Sequence, residues 1–99
     1  MIDFERIVGF QWDAGNARKS HTKHDVSQVE AESIFFNEPL LLAQDVKHSV
    51  SELRFHALGR TMQDRLLHVT FTLRADDTLI RVISARDMHR KERLFYEKG

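Results

Sequence analysis

The side chains best suited to catalysis lie between positions 48 and 86, where histidines, a glutamate and arginines alternate with apolar residues. They are His48, Glu52, Arg54, His56, His68, Arg74 and Arg86. Imidazole and carboxylate groups accept or release protons, and the planar guanidinium fork binds phosphate. Metal-free cleavage of RNA needs a base for the 2′-hydroxyl, an acid for the leaving 5′-oxygen and cations for the phosphate charge. This region contains the residue types that such cleavage needs, with Glu52 or a histidine as candidate base or acid and Arg54, Arg74 and Arg86 as candidate phosphate ligands.

Each of these residues also has a structural interpretation. Glu52 and Arg54 can form a surface ion pair that contributes little to stability. Arg74 can simply end a strand, and Arg86 can cap a helix or hold Asp87. For the set as a whole, the alternative is a solvated sheet face with scattered charges.

Three segments must position these side chains, because each alternates polar and apolar residues as a strand does. They span residues 52–58, 65–74 and 79–86, which predicts an antiparallel β-meander. In the middle segment Leu67 begins the apolar face and His68 begins the polar face. The third segment is apolar on both faces, which is typical of a covered or central strand.

Strand register decides which polar groups meet. Keeping the apolar faces together requires the numbers of opposed residues to sum to an even value. Pairing His56 with His68, and His68 with Arg86, satisfies this rule and places the three in one row across the polar face. A one-residue slip in the second strand pair would bring Arg81 there instead.

The remaining elements are predicted from their end signals. Asp13 and Asp87 are candidate helix N-caps, and Ser27 with Glu30 forms a capping box. Pro39 ends the second helix, since the residue before proline avoids helical backbone angles. The predicted elements are a strand over residues 6–12, a helix over 13–24, a helix over 27–37, a short strand or extended segment over 40–45, a loop over 46–51 and a loosely docked helix over 87–98.

Size and composition are those of one small globular domain, with 41% hydrophobic and 30% charged residues. We therefore predict a single domain over residues 1–99. No apolar run is long enough to span a membrane, and the acidic N-terminus lacks the layout of a signal peptide, so a cytoplasmic protein is predicted. The chain has no cysteine, which excludes disulfides and thiolate metal sites.

The net charge of zero hides an asymmetry between the two halves of the chain. Residues 1–50 carry 5 basic and 8 acidic side chains, whereas residues 51–99 carry 10 basic and 7 acidic ones. Most of the basic side chains in the second half are arginine. An arginine-rich surface can bind RNA or an acidic protein even when the whole chain is neutral.

Other catalytic classes lack their residues in this sequence. There is no Gly-x-Ser-x-Gly elbow, no His-Glu-x-x-His motif and no glycine-rich nucleotide loop. His21 and His24 are close enough on a helix to share a metal ion, but the further ligands are missing. We therefore predict neither a metal nor another cofactor.

Several motifs together are similar to those of a known family in their order and spacing. They are Phe10-Gln-Trp12-Asp13, Lys23-His24-x-Val26-Ser27, Glu38-Pro39, Asp45-x-x-His48-Ser49-x-x-Glu52-x-Arg54, Gly59-Arg60, Arg81-Val-Ile-Ser84-Ala85-Arg86 and Glu92-Arg93-x-x-Tyr96. The combined string covers nearly the whole chain and is far more specific than any one motif. The chain resembles the BrnT-type toxins of bacterial type II toxin–antitoxin systems.

The resemblance implies a small α+β fold of the RelE-like type. In that fold an antiparallel sheet carries the two helices of the N-terminal half on one face, and a C-terminal helix follows. It also implies a ribonuclease that blocks translation and is sequestered by a BrnA-type antitoxin, with operator DNA bound only through the antitoxin complex. A neutral chain with an arginine-rich half suits a protein that must attract RNA and also bind an antitoxin.

Agreement between the family motifs and the sheet pattern selects the site residues. The predicted catalytic residues are His48, Glu52, Arg54 and Arg86, with Arg74 supported mainly by the sheet. The residues expected to bind RNA are His56, His68, Arg81, Arg90 and Lys91. Neither the motifs nor the pattern distinguishes the acid from the base.

Three positions depart from the usual family pattern. Asn16, Ser20 and Asp25 stand where lysine, asparagine and glycine are common. The first change removes a lysine from any RNA contact made by that helix, and the third places aspartate where a positive φ is expected, which aspartate tolerates. The alternative function is an inactive member of the same fold that binds an antitoxin or RNA without cleaving it.

Overall fold

A computed structural model describes residues 2–48 and 52–98 of the chain. Its strands are β1 Gly9–Trp12, β2 Leu41–Gln44, β3 Arg54–Arg60, β4 Leu66–Arg74 and β5 Leu79–Asp87, and its α-helices are α1 Ala14–His24, α2 Gln28–Ser33 and α3 Arg90–Lys98. Single 3₁₀ turns occur at Phe4–Arg6, Ile34–Phe36 and Val46–His48. Within the described ranges, no helix has the length and apolar character needed to cross a membrane.

The strands form one mixed sheet in the order β1-β5-β4-β3-β2. The predicted meander of β3, β4 and β5 is confirmed, and β2 pairs with β3 in the antiparallel sense. The prediction of a wholly antiparallel sheet is wrong, because β1 runs parallel to β5. The meander leaves one edge of β5 free, and β1 pairs there. The helices and the other strands separate β1 from β5 along the chain, so the two can pair in parallel without a hairpin between them.

The register between β3 and β4 obeys the even-sum rule but is two residues away from the predicted pairing. His56 lies opposite Thr70 rather than His68. The two histidines are instead diagonal neighbours, and their ring centroids are 4.7 Å apart. The predicted pairing of His68 with Arg86 is confirmed. The row of two histidines and an arginine therefore exists, with one diagonal step.

A β-bulge shifts the register between β4 and β5 next to Thr70. Before the shift Thr70 faces Ser84, and after it Thr72 faces Arg81, so Ile83 is the extra residue of β5. The two registers that the sequence offered as alternatives are thus both present. The bulge brings Arg81 to the same face of the sheet as Arg86.

The opposite face of the sheet forms the core together with α2 and the turn after it. The fully buried apolar residues of the three meander strands are Ala57, Leu67, Val69, Phe71, Ile80, Val82 and Ala85. Ile34 packs on this face, and the ring of Phe35 meets Phe71 edge to face with centroids 5.3 Å apart. At Gly59 an added Cβ would lie 2.9 Å from Cβ of Ile34, so the turn after α2 approaches β3 closely because this strand position has no side chain.

Helix α1 lies along β5 beyond the end of β1. The buried hydroxyl of Ser20 accepts a hydrogen bond from the backbone N–H of Ala85 at 3.2 Å. This unusual serine therefore satisfies a strand donor that no neighbouring strand reaches. At the end of α1, Asp25 has φ 54° and ψ 42°, which confirms the predicted left-handed conformation.

The predicted helix starts in the first half are confirmed. Asp13 caps α1 by accepting from the N–H of Gly15 at 2.7 Å. Ser27 and Glu30 form the capping box, with reciprocal bonds of 3.1 and 3.0 Å. The second helix closes as a 3₁₀ turn just before Asn37. The predicted loop over residues 46–51 begins with the turn Val46–His48, and its positions 49–51 lie outside the described residues.

The predicted cap of the last helix is wrong. Asp87 ends β5, and its carboxylate binds Arg65 at 2.7 and 3.1 Å instead of a helix N-terminus. Helix α3 begins at Arg90. It is also less loosely docked than predicted, because Tyr96 is buried and donates its hydroxyl to the carbonyl of Pro39 at 2.5 Å.

Candidate active site

The face of β3, β4 and β5 opposite the core, here the polar face, holds most of the predicted site residues. Those on it are Arg54, His56, His68, Arg74, Arg81 and Arg86. His48 comes from the 3₁₀ turn before β3, and Glu52 precedes β3 rather than lying within it. Arg90 and Lys91 are exposed on the first turn of α3, where neither side chain forms an ion pair with any described residue.

A group of side chains joined by hydrogen bonds, here the histidine network, begins at Asp45. This carboxylate lies 2.9 Å from Nδ1 of His48 and 3.0 Å from Nε2 of His56. The other nitrogen of His56, Nδ1, is 3.0 Å from the hydroxyl of Thr70. Burial opposes ionisation of Asp45, but hydrogen bonds from His48 outweigh it and lower its pKa below the usual range. The carboxylate is therefore ionised at neutral pH.

His68 packs against the network without a hydrogen bond to it, because its ring lies 4.7 Å from that of His56, and it is only 8% exposed. Burial, aided by the positive charge of Arg86, lowers the pKa of His68 to about 4. The ring is thus neutral at pH 7, and its Nδ1 has no hydrogen-bond partner within the described part of the chain. His68 offers a packed imidazole against His56 rather than a charge for RNA.

Arg86 is held by a carboxylate that the sequence interpretation missed. Glu92 of α3 receives two parallel hydrogen bonds from its guanidinium at 2.8 and 3.0 Å. The same carboxylate accepts the N–H of His89 at 2.8 Å. Burial opposes ionisation of Glu92, but these hydrogen bonds outweigh it and lower its pKa to about 2. Arg86 is therefore fixed in orientation, and α3 is tied to the polar face.

Glu52, Arg74 and Arg81 form a second group, here the arginine cluster. Glu52 lies 3.2 Å from a nitrogen of Arg74 and 4.0 Å from one of Arg81. Arg81 also reaches Asp13, the cap of α1, at 3.5 Å. Arg54 faces Thr72 on the polar face, as Arg81 does from the other side. Arg54 and Arg81 thus flank Thr72, Arg74 follows it on the same face of β4, and the three guanidinium groups can present several N–H donors to a phosphate.

Asp45 and Glu92 are the functional candidates that residue-by-residue reasoning did not select. Both stand within the motifs that carry the family resemblance, and Asp45 precedes His48 by three residues, which is one turn of a helix. That spacing was a usable signal for the first contact. No spacing rule connects Glu92 with Arg86, because α3 must first fold back onto the sheet.

The polar face combines proton-transfer groups with cations. The histidine network supplies imidazoles beside an ionised carboxylate, and the arginine cluster and Arg86 supply guanidinium groups. In residues 2–48 and 52–98, no group of three or more histidine and carboxylate side chains is arranged to hold a metal ion. The arrangement can support acid–base chemistry on a bound phosphodiester.

Comparisons with known proteins identify the family. A family profile described as "Ribonuclease toxin, BrnT, of type II toxin-antitoxin system" matches residues 12–92. The crystal structure of the Brucella abortus ribonuclease toxin BrnT has a similar fold, with a TM-score of 0.63 and 18% sequence identity over 84% of this chain and 99% of that one. Comparison with curated proteins finds no match. Because the profile covers most of the chain, this protein belongs to the BrnT family of ribonuclease toxins of type II toxin–antitoxin systems.

Proposed function

We propose that this toxin is an endoribonuclease that cleaves RNA without a metal ion at its polar face. The 2′-hydroxyl loses its proton to a base and attacks the adjacent phosphorus. The bond from phosphorus to the 5′-oxygen breaks as that oxygen takes a proton from an acid group or water, which gives a 2′,3′-cyclic phosphate and a 5′-hydroxyl end. The observation that carries the proposal is that imidazoles and guanidinium groups share one sheet face, and that the carboxylates of Asp45 and Glu52 contact them from outside the strands.

The arginines are assigned to the phosphate. Arg54, Arg74 and Arg81 approach one another around Thr72, and Arg86 is held ready by its bond to Glu92. Preoriented guanidinium groups stabilise the charge that gathers on the phosphate without reorganising during the reaction. Glu52 keeps two of these arginines in place before RNA binds.

RNA binding extends over the flanks of the site. His56 contributes a partly exposed ring on the polar face, and the ring of the more deeply buried His68 packs against it. Arg90 and Lys91 are exposed on α3, the helix that holds Arg86, and we expect them to contact phosphates further along the RNA. Phosphate contacts of this kind set affinity and make binding dependent on salt.

The biological setting follows from the family. A type II toxin pairs with a protein antitoxin, which we propose to be of the BrnA type, with operator DNA bound only through the complex. Cleavage of RNA in the cytoplasm would block translation. The mixed sheet, with α2 packed on its core face, is compatible with a RelE-like relationship, and we propose that residues 1–99 act as a single domain.

The test is cleavage of an end-labelled RNA by the purified toxin in EDTA. Glu52→Ala should lose cleavage by about 100-fold or more while keeping the wild-type thermal melt. Arg86→Ala should lose cleavage as strongly but also melt at a lower temperature, because it releases Glu92 of α3, so it is assayed well below its own melting temperature. Arg18→Ala is the matched control, since Arg18 is exposed on α1 and forms no ion pair with any described residue. The product should end in a cyclic phosphate.

Two outcomes would contradict the proposal. Cleavage only after Mg²⁺ is added would overturn the metal-free mechanism. If the wild type cleaves no RNA, even RNA bound to ribosomes, the protein is instead an inactive member of the fold that binds an antitoxin or RNA.

A further inference from the structure

Asp45 lies between two imidazole rings at the margin of the polar face. Its Oδ2 is 2.9 Å from Nδ1 of His48 and 3.0 Å from Nε2 of His56. Its Oδ1 also accepts the backbone N–H of His48 at 3.2 Å. The side chain of Asp45 is 11% exposed, whereas that of His48 is 61% exposed. A largely buried carboxylate thus fixes the orientation of an imidazole ring that is exposed to solvent.

The histidines of the polar face differ in which nitrogen atoms they leave available. Both nitrogens of His56 are occupied, one by Asp45 and the other by Thr70. His68 is buried, so neither nitrogen can reach RNA. His48 differs from both, because its ring is exposed and its Nε2 has no hydrogen-bond partner among residues 2–48 and 52–98.

We propose that Asp45 is a positioning residue that holds His48 in the tautomer with a bare Nε2, and that His48 is the general base of the cleavage. The inference rests on the proposed function and assigns the base, which the sequence left open between Glu52 and the histidines. Glu52 is less suited to the role, because its carboxylate is engaged by Arg74 and Arg81.

The physical basis is the tautomer of the neutral imidazole. When Nδ1–H donates to a carboxylate, the lone pair remains on Nε2, where it can take a proton from a hydroxyl. The ionised carboxylate then stabilises the imidazolium that forms. In the reaction, Nε2 takes the proton of the 2′-hydroxyl, the 2′-oxygen bonds to phosphorus, and the 5′-oxygen leaves with a proton from water.

The test combines cleavage with the tautomer of His48. In wild type, ¹⁵N shifts of the neutral His48 ring should show a protonated Nδ1 and a bare Nε2. Asp45→Asn presents an amide N–H to the ring, so the protonated nitrogen should change to Nε2, and cleavage should fall at least about tenfold. Asp64→Asn is the matched control, because Asp64 is an exposed carboxylate in the turn between β3 and β4.

Asp45 also binds His56, so Asp45→Asn could reduce cleavage by disturbing the fold. A second variant, at His48, distinguishes that effect from loss of the base. The exposed ring of His48 can be replaced without disturbing the core, so His48→Gln should keep the wild-type melt and lose cleavage by about 100-fold or more. If the wild type cleaves and both His48→Gln and Asp45→Asn retain its rate, the inference is wrong while the proposed function stands. If the wild type cleaves nothing, both fail together.

Discussion

Replacing His68 by phenylalanine should make the toxin markedly less sensitive to acid. The folded pKa of His68 is about 4, against 6.5 for an ordinary imidazole, chiefly because the ring is buried. Since the folded pKa is the lower one, the unfolded chain binds the proton more readily, and acidification favours unfolding. The stabilisation is complete above about pH 6.5 and is lost as the pH falls towards 4.

The magnitude follows from the two pKa values. Between pH 7 and pH 5 the linkage relation gives a loss of about 2 kcal/mol in the free energy of unfolding from this one group. The pKa of Glu92 is also lowered, to about 2, but its stabilisation is lost only below its ordinary value of 4.5. Measurement down to pH 5 therefore isolates the histidine.

The assay is urea denaturation at pH 7 and pH 5 for the wild type, His68→Phe and His21→Gln. Phenylalanine keeps a planar ring against His56 and removes the titration together with the buried Nδ1 that has no described partner. His21 is exposed on α1, so its variant should behave as the wild type does. An equal loss of stability in wild type and His68→Phe would refute the claim that His68 is buried and neutral.

The core, the second helix and the close approach at Gly59 each allow a stability test by urea denaturation. Leu67→Ala should cost about 2–5 kcal/mol, because Leu67 is fully buried; a loss as small as that of exposed Leu94→Ala would contradict the core assignment. Ser27→Ala should cost about 1 kcal/mol by opening the capping box, and an unchanged midpoint would show that the cap contributes nothing. Gly59→Ala should cost about 1–3 kcal/mol through its clash with Ile34, whereas a gain in stability would show that the turn Ile34–Phe36 can move away from β3.

The helix and strand positions were predicted well, because helix caps and strand alternation depend on residues that are close together in the chain. The caps at Asp13 and Ser27 act within one turn of their helices, so the sequence alone places both helix starts. The alternation in β3 and β4 identifies the buried face, since a strand side chain points to one face or the other. The composition of the polar face was therefore predictable before its geometry was.

Pairing across the fold was less predictable. Two registers that differ by two residues both keep the apolar faces together, so parity could not decide whether His56 meets Thr70 or His68. The parallel pairing of β1 with β5 depends on where the intervening helices pack. The alternation of polar and apolar residues along a strand does not indicate this. For the same reason the bond between Arg86 and Glu92 of α3 was not foreseen.

The positions of Arg81 and Arg86 show how an irregularity builds the site. The two residues are an odd number of positions apart, so in a regular strand their side chains would point to opposite faces and one would enter the core. Burying an unpaired guanidinium would be costly. The extra residue Ile83 reverses the alternation between them, so that Arg81 faces Thr72 and Arg86 faces His68 on the same side. An odd spacing of two charged residues within an otherwise apolar strand is thus a sequence signal for a bulge, and here that bulge allows one strand to supply arginines to both groups of the polar face.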